Sequence, residues 1–194
     1  METTSQPDLV LVAGIDLAWR HCGVAVLAVP PRGEYSIYLV TTIVTTGGGH
    51  QSQACYLYDK LAAVLQGLEL ALVAYERPSW LVAKARQRKT STASVVALAR
   101  AEAILWVAAG RNGTKLLPID PNQWRAEILD EQVPGWALDE ADTEHLKASK
   151  RAVIGWALAT YGTRLDHDQA DALAIAHYCA NRWRRNDFDG RLLG

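Results

Sequence analysis

The stretch of sequence that decides the fold is LVLVAGIDLA, residues 9–18. Its one polar residue is Asp16. A continuous apolar run of this length predicts a β-strand that is buried on both faces of a sheet. Asp16 stands near the end of the run, where burying an ionised carboxylate is unfavourable unless it is paired or bound to a metal. The run therefore predicts both a central strand and a candidate functional residue.

Four more strands and five helices are predicted around this run. Short turns connect it to apolar and β-branched segments at 23–29 and 35–46, which predicts an antiparallel meander. Two later strands are LALVAYE (70–76) and KLLPI (115–119). Helical spacing and cap residues predict helices over 53–69, 90–110, 121–129, 145–162 and 166–185, with a loop over 132–144. This order predicts an α/β fold: a mixed five-stranded sheet, three antiparallel strands followed by two parallel ones, flanked by helices.

Length and composition narrow the class of protein. The chain has 194 residues, of which 49% are hydrophobic and 21% charged, so a disordered protein is excluded. We expect a single domain over 1–194, with loose tails at 1–8 and 187–194. Three cysteines without a paired spacing indicate reduced thiols and a cytoplasmic protein. The apolar runs fall short of about 18 residues, so no membrane span is expected.

Four acidic residues stand where they could meet. Asp16 and Glu76 each end a predicted buried strand, and Asp168 and Asp171 share one face of the last helix. Converging carboxylates repel one another, and a hard dication such as Mg²⁺ or Mn²⁺ relieves the repulsion. Two such ions would clamp a phosphodiester for cleavage. Taken singly, each acid could instead be a helix cap or a strand-end residue that reaches water.

These acidic residues lie in three blocks that resemble a known family. GIDLAWRHCGVAVL (14–27), VAYERPSW (73–80) and HDQADALAIAHYC (167–179) are similar to the active-site blocks of the RuvC Holliday junction resolvases. The resemblance implies an RNase H-like fold and a homodimer that makes paired symmetric nicks in a four-way DNA junction. It matches Asp16, Glu76, Asp168 and Asp171 to the family's metal-binding acids. Two Mg²⁺ ions per active site are implied, with Mn²⁺ as a substitute.

The resemblance also suggests roles for residues outside the acidic set. Lys150 lies nearest to a basic residue that helps cleavage in the family, and Arg125 stands where another basic contact is expected. Trp80 is a candidate for the aromatic wedge that enters the junction, at a shifted position. His167 neighbours Asp168 and could assist, although a cap or surface role is the alternative. The first block departs from the family's G-I-D-P-G pattern, since Leu17 and Ala18 follow the aspartate.

The formal net charge of −1 excludes a uniformly basic DNA-binding surface. The charges are nevertheless segregated, because 82–101 holds five basic residues and no acid, whereas 127–144 holds seven acids and no Lys or Arg. The first stretch follows Glu76 along the chain, which favours a phosphate-binding track there, and Lys147 extends the basic character of the chain after the acidic stretch. Such runs are also typical of solvated faces. The candidate DNA-binding residues are Trp80, Lys84, Arg86, Arg88, Lys89, Arg125 and Lys147.

The sequence leaves other functions open. A nuclease of the same fold could act on structured RNA or on other DNA, and the chain could be a non-catalytic junction-binding module. We expect a bacterial or phage-encoded cytoplasmic endonuclease that acts on branched DNA and has no membrane partner. Four tryptophans stand at helical positions beside apolar residues and are predicted to pack in the core: Trp106, Trp124, Trp156 and Trp183.

Overall fold

The computed structural model describes residues 9–77, 92–129, 133–140 and 146–187. Its strands are β1 (Val10–Asp16), β2 (His21–Val29), β3 (Ser36–Val44), β4 (Leu70–Glu76) and β5 (Leu116–Ile119). They form one sheet in the order β3-β2-β1-β4-β5. β1, β2 and β3 pair antiparallel, and β4 and β5 continue the sheet parallel to β1. The predicted mixed five-stranded sheet is confirmed, with β1 at its centre.

Six helices flank the sheet in the described part of the chain. They are α1 (His50–Gly67), α2 (Thr92–Arg111), α3 (Pro121–Leu129), α4 (Gly135–Glu140), α5 (Ala148–Tyr161) and α6 (His167–Arg185). The prediction of a loop over 132–144 was wrong in part, because α4 forms within it and buries Ala137. α1 begins three residues earlier than expected, directly after three glycines.

The sheet separates two hydrophobic cores. Successive side chains of a strand point to opposite faces, so Val12 of β1 packs under α6 while Ala13 and Ile15 pack under α1 and α2. α3, α5 and α6 share the first face, which also holds Trp124 and Trp156 as predicted, with Trp183 packed partly buried against it. The prediction for Trp106 of α2 was wrong, because only its indole nitrogen reaches inward, to the Tyr75 hydroxyl, and the side chain is 49% exposed. Asp16 follows Val12 at a spacing of four residues and therefore lies on the α6 side.

No segment able to span a membrane was expected from the sequence, but one helix meets the criteria for such a segment. Within the described residues, Ala93–Arg111 is long and apolar enough to cross a membrane by length and composition. Core helices of globular proteins pass the same test, and this one packs against α1 with Ala101, Leu105 and Ala108 buried in the core. Of the three cysteines, Cys22 and Cys179 are buried and Cys55 is exposed.

α6 lies unusually close to the centre of the sheet. A methyl group on Gly14 of β1 would stand 2.2 Å from the backbone nitrogen of Ala176 and 2.3 Å from the backbone oxygen of Ala172. A methyl group on Gly23 of β2 would stand 2.1 Å from the backbone oxygen of Asp168. These obstacles are backbone atoms, which cannot rotate away as a flexible side chain could. Glycine at both positions lets the helix lie directly on β1 and β2.

We expect Gly14→Ala to destabilise the protein by roughly 2–3 kcal/mol, because the added methyl group forces α6 away from β1. Urea denaturation of the purified variant measures the change. Gly67→Ala, at the end of α1, is the control, since among the described residues no atom outside its chain neighbours and the backbone of its own helix lies within 4 Å of the added methyl group. Equal stability of the two variants would contradict the close packing described above.

Candidate active site

Two of the predicted acidic residues lie side by side at one edge of the sheet. Asp16 is the last residue of β1 and Glu76 the last residue of β4. These strands are parallel, and Ile15 of one pairs with Tyr75 of the other. The next residue along each strand is the carboxylate, and both point to the face that α6 covers. The parallel register therefore places these two acids next to each other.

α6 brings the other two acids to the same edge. Its N-terminus is set by a capping box. The side chain of Asp166 accepts a hydrogen bond from the backbone nitrogen of Gln169, and the side-chain oxygen of Gln169 accepts one from the backbone nitrogen of Asp166. Asp168 and Asp171 stand in the turn that follows. Gly23, the cross-strand partner of Asp16, faces the backbone of Asp168. The close packing at Gly23 thus sets the first turn of α6 beside Asp16.

The electrostatics of Asp16 connect it to the other three acids. Burial, followed by the charges of Asp171, Glu76 and Asp168, raises the pKa of Asp16 well above its usual value. Asp171 is only 8% exposed, and burial is the main cause that raises its pKa from 3.8 to about 6. Burial also raises the pKa of Glu76, with a further contribution from Asp120. Asp16, Glu76 and Asp171 therefore give up their protons less readily than ordinary carboxyl groups when no cation is present.

Two basic residues oppose this negative charge. The positive charge of Lys150, on α5, acts to lower the pKa values of both Asp16 and Asp171. Arg125, on α3, forms an ion pair of 3.1 Å with Glu76 and also acts to lower the pKa of Asp171. The structure thus places Lys150 and Arg125 at the acidic cluster. The sequence-based role of Arg125 as a DNA contact stays a prediction.

His167 stands at the rim of the cluster. Its Nε2 lies 3.2 Å from Oδ1 of Asp168. Ligand atoms of Asp166, His167 and Asp168 all lie within 4.8 Å of one another. The Asp166 carboxylate is already engaged, because one oxygen accepts from Gln169 and the other from Thr42. His167 is therefore placed to orient Asp168.

The predicted DNA-binding residues are mostly outside the part of the chain that the structure describes. This holds for Trp80, Lys84, Arg86, Arg88 and Lys89. Lys147 is described and exposed, directly before α5, and its backbone carbonyl accepts hydrogen bonds from the first turn of that helix.

Two residues near the acids were missed at the level of sequence. Asp120 directly follows β5, just as Asp16 and Glu76 end their strands, so the same criterion could have found it. Its side chain accepts a hydrogen bond from the backbone nitrogen of Asn122, which caps α3. Trp124 was assigned to the core alone, yet its indole nitrogen donates to Oε2 of Glu76 at 3.2 Å. No local pattern distinguishes this tryptophan from a purely structural one.

The donor set of the cluster suits a hard divalent cation. Asp16, Glu76, Asp168 and Asp171 offer only carboxylate oxygens, which Mg²⁺ and Mn²⁺ prefer. Crowded, half-buried carboxylates with raised pKa values are typical of sites that are completed by a cation or that transfer protons. The residues of this edge could therefore hold metal ions.

Comparisons with known proteins agree on the fold. No family model matches the sequence, and no curated protein matches it. A structure of RuvC from T. thermophilus in complex with a Holliday junction substrate superposes with a TM-score of 0.72 and 19% identity, covering 95% of this chain and 100% of that one. A second structure of Thermus thermophilus RuvC gives a TM-score of 0.69 and 20% identity over the same shares.

A resolvase from another source has the same architecture. The yeast mitochondrial Holliday junction resolvase Ydc2 matches with a TM-score of 0.55 and 15% identity, covering 93% of this chain and 82% of that one. The sheet order and helix arrangement expected for an RNase H-like protein are thereby confirmed. This chain has the fold of the RuvC-type Holliday junction resolvases.

Proposed function

We propose that the protein is a metal-dependent endonuclease that resolves four-way DNA junctions by paired symmetric nicks, in the cytoplasm of a bacterium or of a phage-infected cell. The observation that supports it is the convergence of Asp16, Glu76, Asp168 and Asp171 at one edge of a RuvC-type sheet. The junction substrate is proposed from the T. thermophilus RuvC complex, which was solved with such a substrate.

The four carboxylates fit two Mg²⁺ ions, with Mn²⁺ as a substitute. The fit is supported by oxygen-only donors and by the raised pKa values of Asp16 and Asp171, which are caused first by burial and then by the neighbouring carboxylates. When bound, the ions would generate the hydroxide nucleophile and stabilise the leaving 3′-oxygen of the phosphodiester. In this proposal Asp16 and Asp171 would bridge the two ions or hold the first one, and Glu76 and Asp168 would complete the two sites.

The remaining charged residues would act on the substrate. Lys150 lies close enough to Asp16 and Asp171 to influence both, so its ammonium group would meet the scissile phosphate and stabilise the charge that develops there. His167 would hold Asp168 in place. Phosphates on either side of the scissile one would be bound by basic residues, namely Lys84, Arg86, Arg88, Lys89 and Lys147. Trp80 would stack on bases at the junction.

A homodimer suits a substrate with twofold symmetry. We propose that the outer face of α1 and α2 forms the dimer contact, because it exposes large apolar side chains. Val107 is 52% exposed and Trp106 49% exposed on α2, and Tyr56 is 45% exposed on α1. Val107 lines a shallow surface depression together with Ala103 and Ile104 of α2 and with residues of α1 that include Tyr58 and Asp59.

The first test is nicking by Asp16→Asn. We expect this variant to fold and to bind a four-way junction like the wild type, but to lose nicking in Mg²⁺, because an amide cannot replace the charged ligand. Gel assays of labelled junction, linear duplex and structured RNA measure cleavage and its selectivity. Asp139→Asn, an exposed acid on α4, is the control and should cleave normally. Full activity of Asp16→Asn would refute the assignment, and preferential cleavage of RNA would refute the junction substrate.

The second test uses the stability of the metal-free protein. Because the pKa of Asp171 is about 6 in the folded protein and 3.8 in an ordinary carboxyl, the folded state loses stability as pH rises from about 4 to about 6. In EDTA, we expect the free energy of unfolding of Asp171→Asn to be roughly 3 kcal/mol higher than that of the wild type above pH 6, and equal to it below pH 4. Thermal or urea unfolding across this pH range measures the difference.

Mg²⁺ should narrow that difference, because ligand binding stabilises the folded wild type. Asp139→Asn should follow the wild-type pH dependence throughout. A gap between Asp171→Asn and the wild type that is independent of pH would contradict the burial of a charged Asp171 carboxylate.

The third test concerns the dimer. We expect Val107→Asp to convert a dimer into a monomer in light scattering at micromolar concentration, because it places charge in an apolar contact. Val44→Asp is the matched control, since Val44 is a 38% exposed valine on β3. A monomeric wild type, or a dimer that survives Val107→Asp, would contradict the proposed contact.

A further inference from the structure

Glu76 is held at one oxygen by two consecutive residues of α3. Its Oε2 accepts hydrogen bonds from Nε1 of Trp124 at 3.2 Å and from Nη2 of Arg125 at 3.1 Å. Among the described residues no hydrogen-bond donor contacts Oε1. Two donors on one oxygen define the plane of the carboxylate and leave the other oxygen available to a ligand.

The two donors differ in how firmly they are held. Trp124 is completely buried in the core under α6, in the same cluster as Ile119 and Ile128. Arg125 is 37% exposed, and its guanidinium carbon lies 4.5 Å from the centroid of the Trp124 ring. Packing therefore fixes the indole, whereas Arg125 rests on it. The indole is the rigid donor of the pair.

The position of Trp124 follows from the sheet. Glu76 pairs with Ile119 at the ends of β4 and β5, and α3 begins two residues later at Pro121. Trp124 is the fourth residue of this helix, so one turn returns its ring to the end of β4. A buried indole N–H needs an acceptor, and the Glu76 carboxylate supplies it. The tryptophan and the glutamate thus depend on each other.

We propose that Trp124 is a positioning residue that orients Glu76 for metal binding. The proposal rests on the metal site of the proposed function. Groups that hydrogen-bond a ligating side chain set its orientation, and their removal typically lowers metal affinity 10–100-fold. Trp124 acts through Glu76 and need not touch the metal or the DNA. Arg125 adds charge to the same oxygen, but the packed indole determines its direction.

The experiment measures Mn²⁺ affinity of the Trp124→Phe variant by the loss of the free-ion EPR signal. We expect affinity to fall about 10-fold, because phenylalanine keeps the packing but lacks the N–H. Trp156→Phe is the matched control: Trp156 lies in the same core at 2% exposure, and its ring contacts Tyr161 and His177. This control should keep wild-type affinity, and both variants are compared at equal fractions folded.

A double variant isolates the route of the effect. If Trp124 acts through Glu76, then Trp124→Phe should cause no further loss of affinity in a Glu76→Gln background. Should Trp124→Phe fold poorly, replacement of Trp124 by 3-benzothienylalanine keeps the ring volume and removes only the N–H. The same loss of affinity is expected from that analogue.

The outcomes separate this proposal from the proposed function. Equal Mn²⁺ affinities of Trp124→Phe and Trp156→Phe, with wild-type binding intact, would overturn the positioning role alone. A further loss in the Glu76→Gln background would overturn the route through Glu76. A wild type that binds no Mn²⁺ would overturn the metal site and, with it, the positioning role.

Discussion

The contact on which the rest of the structure depends is the packing of α6 directly on β1 and β2. Gly14 and Gly23 allow it, because any side chain there would collide with the helix backbone. Since Gly23 is also the cross-strand partner of Asp16, this packing sets the distance between the sheet carboxylates and those of α6. The acidic cluster thus depends on glycine at these two positions.

Bringing four carboxylates together raises the free energy of the folded chain unless cations compensate. Burial first, and then the neighbouring carboxylates, raise the pKa values of Asp16 and Asp171, and the positive charges of Lys150 and Arg125 oppose part of this rise. The core beneath α6 lies directly next to the acids, because Trp124 is buried on the same face of the sheet. The acids that the proposed chemistry needs therefore destabilise this edge of the sheet, and packing in the core compensates for that loss of stability.

Much of the fold was predictable because the central strands β1, β2 and β4 are largely buried on both faces. Continuous apolar runs mark β1 and β4 without ambiguity, and the capping residue Asp166 marks the start of α6. The short helix α4 was missed, since six residues that follow a proline and begin with a glycine show little periodicity. Asp120 was overlooked because an acid before a proline resembles an ordinary helix cap.

The sequence by itself determined which apolar runs form strands and their order along the chain. It also determined the two acids at strand ends and the pair of aspartates on the last helix. Local spacing suffices for these features, because they depend on neighbours along the chain. Only the tertiary structure decided that Trp124 and Arg125 meet Glu76 at the same oxygen. Those residues are nearly fifty positions away from Glu76, and the parallel pairing of β4 with β5 brings them together. No local pattern encodes such a contact, since it is created when strands pair and a helix turns back over their ends.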